Sequence, residues 1–371
     1  LKRNRPNEKA NFIAKRLMSD PNKPVRLSQA ITVVGLCQDM CPEYERLERI
    51  KNNEVARLEY TGTGADRRPA EERMVKKFRR SEAGAGEQLP SDLRPPVVLQ
   101  NTTTYLLKTL LDEVDLTEAQ TFIWDRTRGI RNDFSIQRVS TIRDRRIAID
   151  CFERIARFHI VSMHRCSHPN KNGISSDYDW SQDREQLDKT LLSLMEYYDS
   201  SRAQYRSANE AEFRAYWIMF SMQTKSPDIH NRIQNWPEEL ARDPKVQAAL
   251  DVHATASNVD DYQGPFAQGT KHAIARTNPR HFWTLVASNR MSYLMACVAE
   301  QNFYLVRKTA LKAIWRAYRQ GGKTRPEDWS IAELVDALGF DTEEQVQVFC
   351  EAYGFSIAER MDGTPFLDIT S

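Results

Sequence analysis

Apolar residues recur at helical spacing along most of the chain, and few stretches alternate as strands do. Between Val97 and Val114 they fall at Val98, Leu99, Leu106, Leu107, Leu110 and Leu111. Over 139–165 the series Ile142, Ile149, Phe152, Ile155, Ala156 and Phe158 forms one face, with Arg143, Arg146 and His159 interspersed. The same spacing predicts helices over 183–205, 208–223, 227–236, 244–256, 265–276 and 279–303, with Tyr197, Tyr198, Tyr216, Trp217 and Phe220 supplying an aromatic core. Pro42 followed by Glu43 and Glu45 marks a helix start, because proline fits the first position and acids face the positive end of the dipole. A second short helix is expected from Pro69 through Met74, Val75 and Phe78, and Thr117 with Gln120 reads as a capping box. Residues 1–34 carry Pro6, Pro21 and Pro24 with weak periodicity and read as an extended arm, while Gly84, Gly86, Pro90, Pro95 and Pro96 mark an irregular connector.

The last 70 or so residues differ. A helix from Tyr304 to Arg319 precedes the β-compatible Trp329-Ser330-Ile331. A helix over 332–338 ends at Gly339, and Asp341/Thr342 cap another through Tyr353, which Gly354 stops. Residues 355–360 and 365–369 then read as two strands around Met361-Asp362-Gly363-Thr364, and Asp-Gly between apolar runs is a hairpin signal. Three helices and a terminal hairpin predict a winged helix. Helix pairs joined by short loops predict a solenoid before it. The expected fold is therefore all-α: a helical-repeat solenoid of the TPR-like, PCI kind with a C-terminal winged helix. The divisions are a basic extended arm (1–34), an opening motif with connector (35–95), a helical-repeat region (96–303) and the winged helix (304–371).

A length of 371 residues suits two or three packed units, and 40% apolar with 28% charged residues describes a soluble, folded chain. No run of about 18 apolar residues is present, so no membrane contact is expected. The basic N-terminus has no apolar stretch behind it and does not read as a secretory signal. A start at Leu1 is what a segment of a longer protein would show. Six scattered cysteines point to a reducing compartment.

Net charge is only +2, but its distribution is uneven. Residues 1–34 hold eight Lys/Arg against Glu8 and Asp20, and 304–325 hold seven Lys/Arg and no acid. At about 100° per residue, Lys308, Lys312, Arg316 and Arg319 share one stripe of the helix, with Ala310, Leu311, Ile314 and Tyr318 on the other side. Lys323 and Arg325 extend the charge. Such rows contact nucleic-acid phosphates, although a solvated face is the plainer reading. The helix over 342–353 carries Glu343, Glu344 and Glu351 beside Asp341 and no Lys or Arg, which argues against insertion into a DNA groove. On the hairpin, alternation implies that Phe355, Ile357, Phe366 and Leu367 cannot all face so small a core, so they are candidates for a partner surface.

Catalytic chemistry finds no foothold, and the chain reads as a non-enzyme. Gly321-Gly322-Lys323-Thr324 resembles the end of a phosphate loop, but Ala317 stands where the earlier glycine is needed and a helix precedes it, not a strand. Cys37 and Cys41 lack a second pair for zinc, and His164, Cys166 and His168 with Cys151 are weak ligand candidates. Neither a metal nor a cofactor is expected. Alternating charges over 125–133 read as a structural salt-bridge network fixing a turn between two helices, and not as a ligand site.

The block Gly35-Leu36-Cys37-Gln38-Asp39-Met40-Cys41-Pro42-Glu43-Tyr44-Glu45 resembles the opening motif of the SAC/GANP family of messenger-RNA export proteins. Leu89–Pro96, Asp125–Phe134, Ile155–His159 and Glu210–Tyr216 continue the resemblance. Leu36 and Gln38 stand where the family usually has Thr and Pro. The resemblance implies a scaffold of the TREX-two transcription-and-export complex, in the nucleus at the nuclear pore. It implies pairing with a second PCI-domain subunit and a small acidic DSS/Sem-type protein, with a basic surface for RNA or, alternatively, DNA. Contacts with the pore would come from regions outside this chain. Rival readings are a PCI subunit of another assembly, such as the proteasome lid or a translation initiation complex, and a stand-alone winged-helix DNA-binding regulator.

Overall fold

Most of the helical periodicity becomes helix in the computed structural model, which describes residues 2–20, 23, 26, 31–79, 88–167, 178–223, 229–257, 279–320 and 326–369. The chain divides into two compact units, Leu1–Glu210 and Ala211–Ser371, so the 96–303 stretch read as one repeat region runs across the division. No described helix is long and apolar enough to cross a membrane.

The first unit begins with α1 (Arg5–Ala14), which lies within the 1–34 stretch expected to be extended. Pro6 lies in its first turn, where a missing N–H goes unused, and Glu8 faces the positive end of the dipole. Pro6 therefore starts a helix instead of belonging to an extended arm. Side chains anchor it: Arg5 donates to both carboxylate oxygens of Asp92 at 2.7 and 2.5 Å and lies 4.4 Å from the Tyr44 ring centre. After α2 (Glu43–Lys51), the two-residue strands β1 (Tyr60–Thr61) and β2 (Arg68–Pro69) pair antiparallel.

The short helix expected from Pro69 is absent. Only Glu71–Arg73 forms a single 3-10 turn, and Met74 to Phe78 run extended. Their main-chain amides are taken from outside. Val75 N–H donates to Glu59 Oε1 at 3.0 Å, Lys76 N–H to the Met40 carbonyl at 3.0 Å, and Lys77 N–H to Glu45 Oε1 at 2.7 Å. Met74 and Val75 are fully buried on this path, so their apolar spacing reflects burial on two sides and not a helix face. Gly35 has a comparable tertiary cause: a Cβ there would sit 2.5 Å from the Leu93 carbonyl oxygen.

Helix α3 (Pro96–Thr104) passes through a π turn, Tyr105–Thr109, into α4 (Leu110–Glu113). Thr102, Thr103 and Thr104 hydroxyls each donate back to the carbonyl four residues earlier, which loosens the ladder just before that turn. Helix α5 (Leu116–Gln137) is capped by Asp115, whose carboxylate accepts from Thr117 N–H at 2.9 Å; the box proposed from Thr117 lies two residues too late. Helices α6 (Ile142–Ser167) and α7 (Trp180–Ser201) complete the unit. Helix α6 packs against α3, α5 and α7, which is why its buried residues exceed one stripe.

Buried charge ties these parts together. Asp133, fully enclosed on α5, accepts from Lys76 Nζ at 2.6 Å and from Arg94 Nε at 2.7 Å. Glu59 pairs with the enclosed Arg49 and with Arg126 at 3.2 Å. The network anticipated over 125–133 exists, but it lies within one helix and fastens it to the preceding loops; no turn between helices is involved. Arg131 stands outside it, bonded to the Gln186 amide instead of a carboxylate.

In the second unit α8 (Glu210–Phe220) opens at the division, followed by α9 (Ile229–Gln234), α10 (Glu238–Ala241) and α11 (Pro244–Ser257). The helix expected over 265–276 lies outside the described residues. Two short helices, α12 (Pro279–Val286) and α13 (Tyr293–Glu300), occupy the span read as one helix over 279–303; Ser292 interrupts it by capping α13. Then come α14 (Phe303–Gln320), α15 (Ile331–Leu338), α16 (Glu343–Ala352) and the antiparallel pair β3 (Ser356–Glu359) and β4 (Pro365–Asp368). Ala310, Leu311, Ile331, Leu334, Leu338, Val346, Cys350, Leu367 and Ile369 form one core beneath these elements. Gly339 ends α15 at φ 63°, and a Cβ there would meet the Trp283 ring at 2.3 Å.

Candidate nucleic-acid interface

Helix α14 is held by its apolar face. Ala310 and Leu311 are buried in the core, with Ile314, Trp315 and Tyr318 packed against it. The opposite face must then meet solvent, and Lys308, Lys312 and Arg316 are exposed on it at four-residue intervals. They span about 12 Å of helix axis at about 1.5 Å per residue. None of the three is ion-paired among the described residues, and α14 carries no acid to neutralise them. The Arg319 side chain, Lys323 and Arg325 lie outside the described residues.

Arg307 shares the helix but serves the core. Its Nε donates to the Leu338 carbonyl at 3.0 Å and its Nη2 to the Gly339 carbonyl at 2.5 Å, while the guanidinium sits 3.8 Å from the Phe340 ring centre. It caps the C-terminus of α15, where a cation is favoured by the dipole. Burial lowers its pKa from the usual arginine value.

An aromatic pair adjoins the row. Tyr304, 59% exposed, stacks with Tyr353 at 6.5 Å and 26°, and the two hydroxyls are 2.5 Å apart. Lys308 Nζ lies 6.0 Å from the Tyr304 ring centre. Burial and the Tyr304 hydroxyl push the Tyr353 phenol up to about 12. Sequence reading missed this pair because its members are 49 positions apart; only their flanking of the basic helix hinted at it. Helix α16 exposes Glu343, Glu344 and Glu351 and no cation.

The hairpin residues are placed differently from expectation. Leu367 is fully buried and Phe366 nearly so, while Phe355 and Ile357 are half-buried against the same core as Leu367. Register explains this: Ile357 faces Leu367 across the pair, so 355, 357 and 367 share the inward face. Phe366 alone points the other way, where it bridges to Ser330 and the 3-10 turn Pro326–Asp328 packs beside β4. Val348 and Met361 are, with Tyr304, strongly exposed apolar side chains of this module.

The weaker ligand candidates do not assemble. Cys37, Cys41, Cys151 and Cys166 are buried free thiols, and burial raises Cys41 and Cys151 to about 12 and Cys166 to about 11. His168 and the Gly321–Thr324 segment lie outside the described residues. Among the described residues no three His, Cys, Asp or Glu side chains converge as a metal requires. One buried polar cluster escaped the sequence reading: Asp183 accepts from Gln120 Nε2 at 2.7 Å and Tyr178 O–H at 2.9 Å, and contacts His159 Nδ1 at 2.7 Å. Both His159 and Asp183 are fully enclosed, which suits a packing role.

Comparison with known proteins follows the same regions. The profile of the SAC3/GANP family matches residues 40–359. The chain is 37% identical over 359 residues to SAC3 family protein 1 of Schizosaccharomyces pombe, covering 96% of this chain and 33% of that protein. It is 29% identical over 333 residues to Protein xmas of Drosophila melanogaster, covering 88% of this chain and 15% of that protein. It is also 29% identical over 335 residues to SAC3 family protein B of Arabidopsis thaliana, covering 89% and 18%. The chain thus spans a third or less of the length of these relatives. A match across most of the chain, from the opening motif to the hairpin, means that it belongs to the SAC3/GANP family.

Proposed function

We propose that this chain is the central, non-enzymatic scaffold segment of a nuclear messenger-RNA export assembly. In this reading the helices before α14 form a PCI-type solenoid, and α14 to β4 form a winged helix. The scaffold pairs with a second PCI subunit and a small acidic DSS/Sem-type protein, and works at the nuclear pore through regions outside this chain. Family membership supports that setting. The observation that carries the RNA-facing role is the exposed, acid-free row Lys308, Lys312 and Arg316 on a helix whose other face is locked into a core. Cations at such spacing neutralise phosphates without reading bases, which predicts sequence-tolerant, salt-dependent binding. Tyr304 and Tyr353 beside Lys308 add a surface on which an unpaired base can stack.

Insertion of α16 into a DNA groove, as a stand-alone regulator would require, is disfavoured by its three exposed glutamates. For the partner, the proposed surface is that of the exposed apolar Val348 and Met361, since Phe355 and Ile357 face the core. The test is RNA affinity of the reconstituted complex across a salt series. Lys312→Glu with Arg316→Glu should weaken binding and reduce the salt slope by about 1.4 for single-stranded RNA, at about 0.7 per phosphate contact. Assembly should be unchanged. Equal affinity and slope in the variant would reject the basic row.

A further inference from the structure

A second cationic site lies in the first unit, far in sequence from α14. A cleft of about 610 Å³ opens between α5 and α7, with Arg128, Arg131, Arg138 and Lys189 among its lining residues. Glu196 is the acid in that lining. Behind the cleft lie the enclosed Phe134 and Phe152, tilted to each other at 5.9 Å, and Phe152 meets the half-buried Tyr197 edge to face at 5.4 Å.

Arg131 is the unusual member. It is half-buried, no carboxylate pairs with it, and its charge is met by the neutral Gln186 amide. Its Nε is sealed from bulk solvent and has no hydrogen-bond partner. Burial and the neighbouring Arg128 pull its pKa down to about 10, with Glu185 offsetting part of the effect. Arg128 is held in place by aromatic rings, 4.0 Å from Phe78 and 4.5 Å from Trp124. Buried guanidinium groups elsewhere in this unit, Arg49, Arg94 and Arg126, all have carboxylate partners. A half-buried cation without one is left poorly compensated, and an anion in the cleft would complete it.

We infer that this cleft binds a small phosphate monoester, with the phosphate held by Arg131 and Arg138 and the organic body laid against the half-buried Tyr197, which the enclosed Phe134 and Phe152 back. Lys189 is paired with Glu185, which leaves three arginines against one lining acid, and these call for more than one negative charge, which a phosphate monoester carries near pH 7 and a carboxylate does not. Guanidinium forks match phosphate oxygens in pairs. A volume of about 610 Å³ exceeds what a bare anion needs and falls within the range of organic-ligand pockets.

Isothermal titration of the full chain with adenosine monophosphate, inorganic phosphate and adenosine tests this. The monophosphate should bind saturably at one site, and adenosine should not. Inorganic phosphate binding as tightly as the monophosphate would assign the site to the free anion; weaker binding would assign it to an esterified one. Arg131→Gln should weaken monophosphate binding about tenfold or more. Arg138→Gln, at the exposed rim, should weaken it several-fold with an unchanged melt, and it decides the matter if Arg131→Gln does not fold. Lys312→Glu with Arg316→Glu should leave it unaltered, which separates this site from α14. No saturable binding by either phosphate compound, equal binding of adenosine, or wild-type affinity in Arg138→Gln and in a folded Arg131→Gln would overturn the inference.

Discussion

Replacing Asp133 by Ala should be among the most damaging single changes in the first unit. Its carboxylate is fully enclosed and bridges Lys76 at 2.6 Å and Arg94 at 2.7 Å, both themselves buried. Removing one partner of a buried pair typically costs about 3–5 kcal/mol, because the remaining charge stays desolvated. Here two cations are stranded, but each keeps part of its coordination. Lys76 Nζ still donates to Gln88 Oε1 at 3.0 Å and to the Asp92 carbonyl at 2.7 Å, and Arg94 Nη1 to the Met40 carbonyl at 3.2 Å. A loss of about 4 kcal/mol is therefore expected. At roughly 2–4 °C per kcal/mol for a unit of this size, its transition should fall by about 8–16 °C in differential scanning calorimetry. Asp133→Leu with Lys76→Met should recover part of the loss, since it removes one of the two stranded charges and leaves Arg94. A shift under about 2 °C for Asp133→Ala would refute the view that this carboxylate clamps α5 to the opening motif.

Two further perturbations address other parts of the molecule. Gly339→Ala combines a left-handed backbone with a Cβ 2.3 Å from Trp283, whose Nε1 donates to the Ala337 carbonyl at 3.1 Å. Strain of about 1–2 kcal/mol and a lost hydrogen bond of about 1 kcal/mol should lower the second unit's melt by several degrees, and an unchanged melt would remove Trp283 from the docking of α15. His159 has its pKa lowered from 6.5 because full burial outweighs the Asp183 carboxylate beside it. The unfolded chain therefore takes up a proton that the folded chain resists, so this contribution to stability is full above pH 6.5 and declines as pH falls below it. Urea midpoints at pH 8, 6 and 5 should converge between wild type and His159→Gln as acidity rises; parallel curves would show that His159 does not titrate on unfolding.

Much of the helical order was legible because it rests on local periodicity. Helices α5 to α8 and α14 to α16 fall near where apolar spacing places them, although α5 is capped by Asp115 and not at Thr117, and Asp362-Gly363 marks the hairpin. Errors arose where a distant partner overrode local preference. Met74 and Val75 look helical by spacing, yet carboxylates of Glu45 and Glu59 hold the segment extended. Pro6 reads as part of an extended arm, yet Arg5 and Asp92 fix the helix it opens. Alternation along each strand was read correctly, but without the cross-strand register it could not show that Phe355, Ile357 and Leu367 share one face. The basic row was readable because it repeats every four residues on one helix. The cleft around Arg131 was not, since Phe78, Gln186 and Tyr197 converge on it from separate elements.

The RNA-facing claim is tested most directly by mapping where RNA touches the chain. Ultraviolet cross-linking of a short uridine-rich RNA to the reconstituted complex, followed by peptide mass spectrometry, reads the contact at residue level. Cross-links in this chain should concentrate on α14 around Tyr304, Lys308 and Lys312, with the neighbouring Tyr353, and should disappear in Lys312→Glu with Arg316→Glu. Cross-links confined to α16, or spread over the first unit with none on α14, would contradict the account.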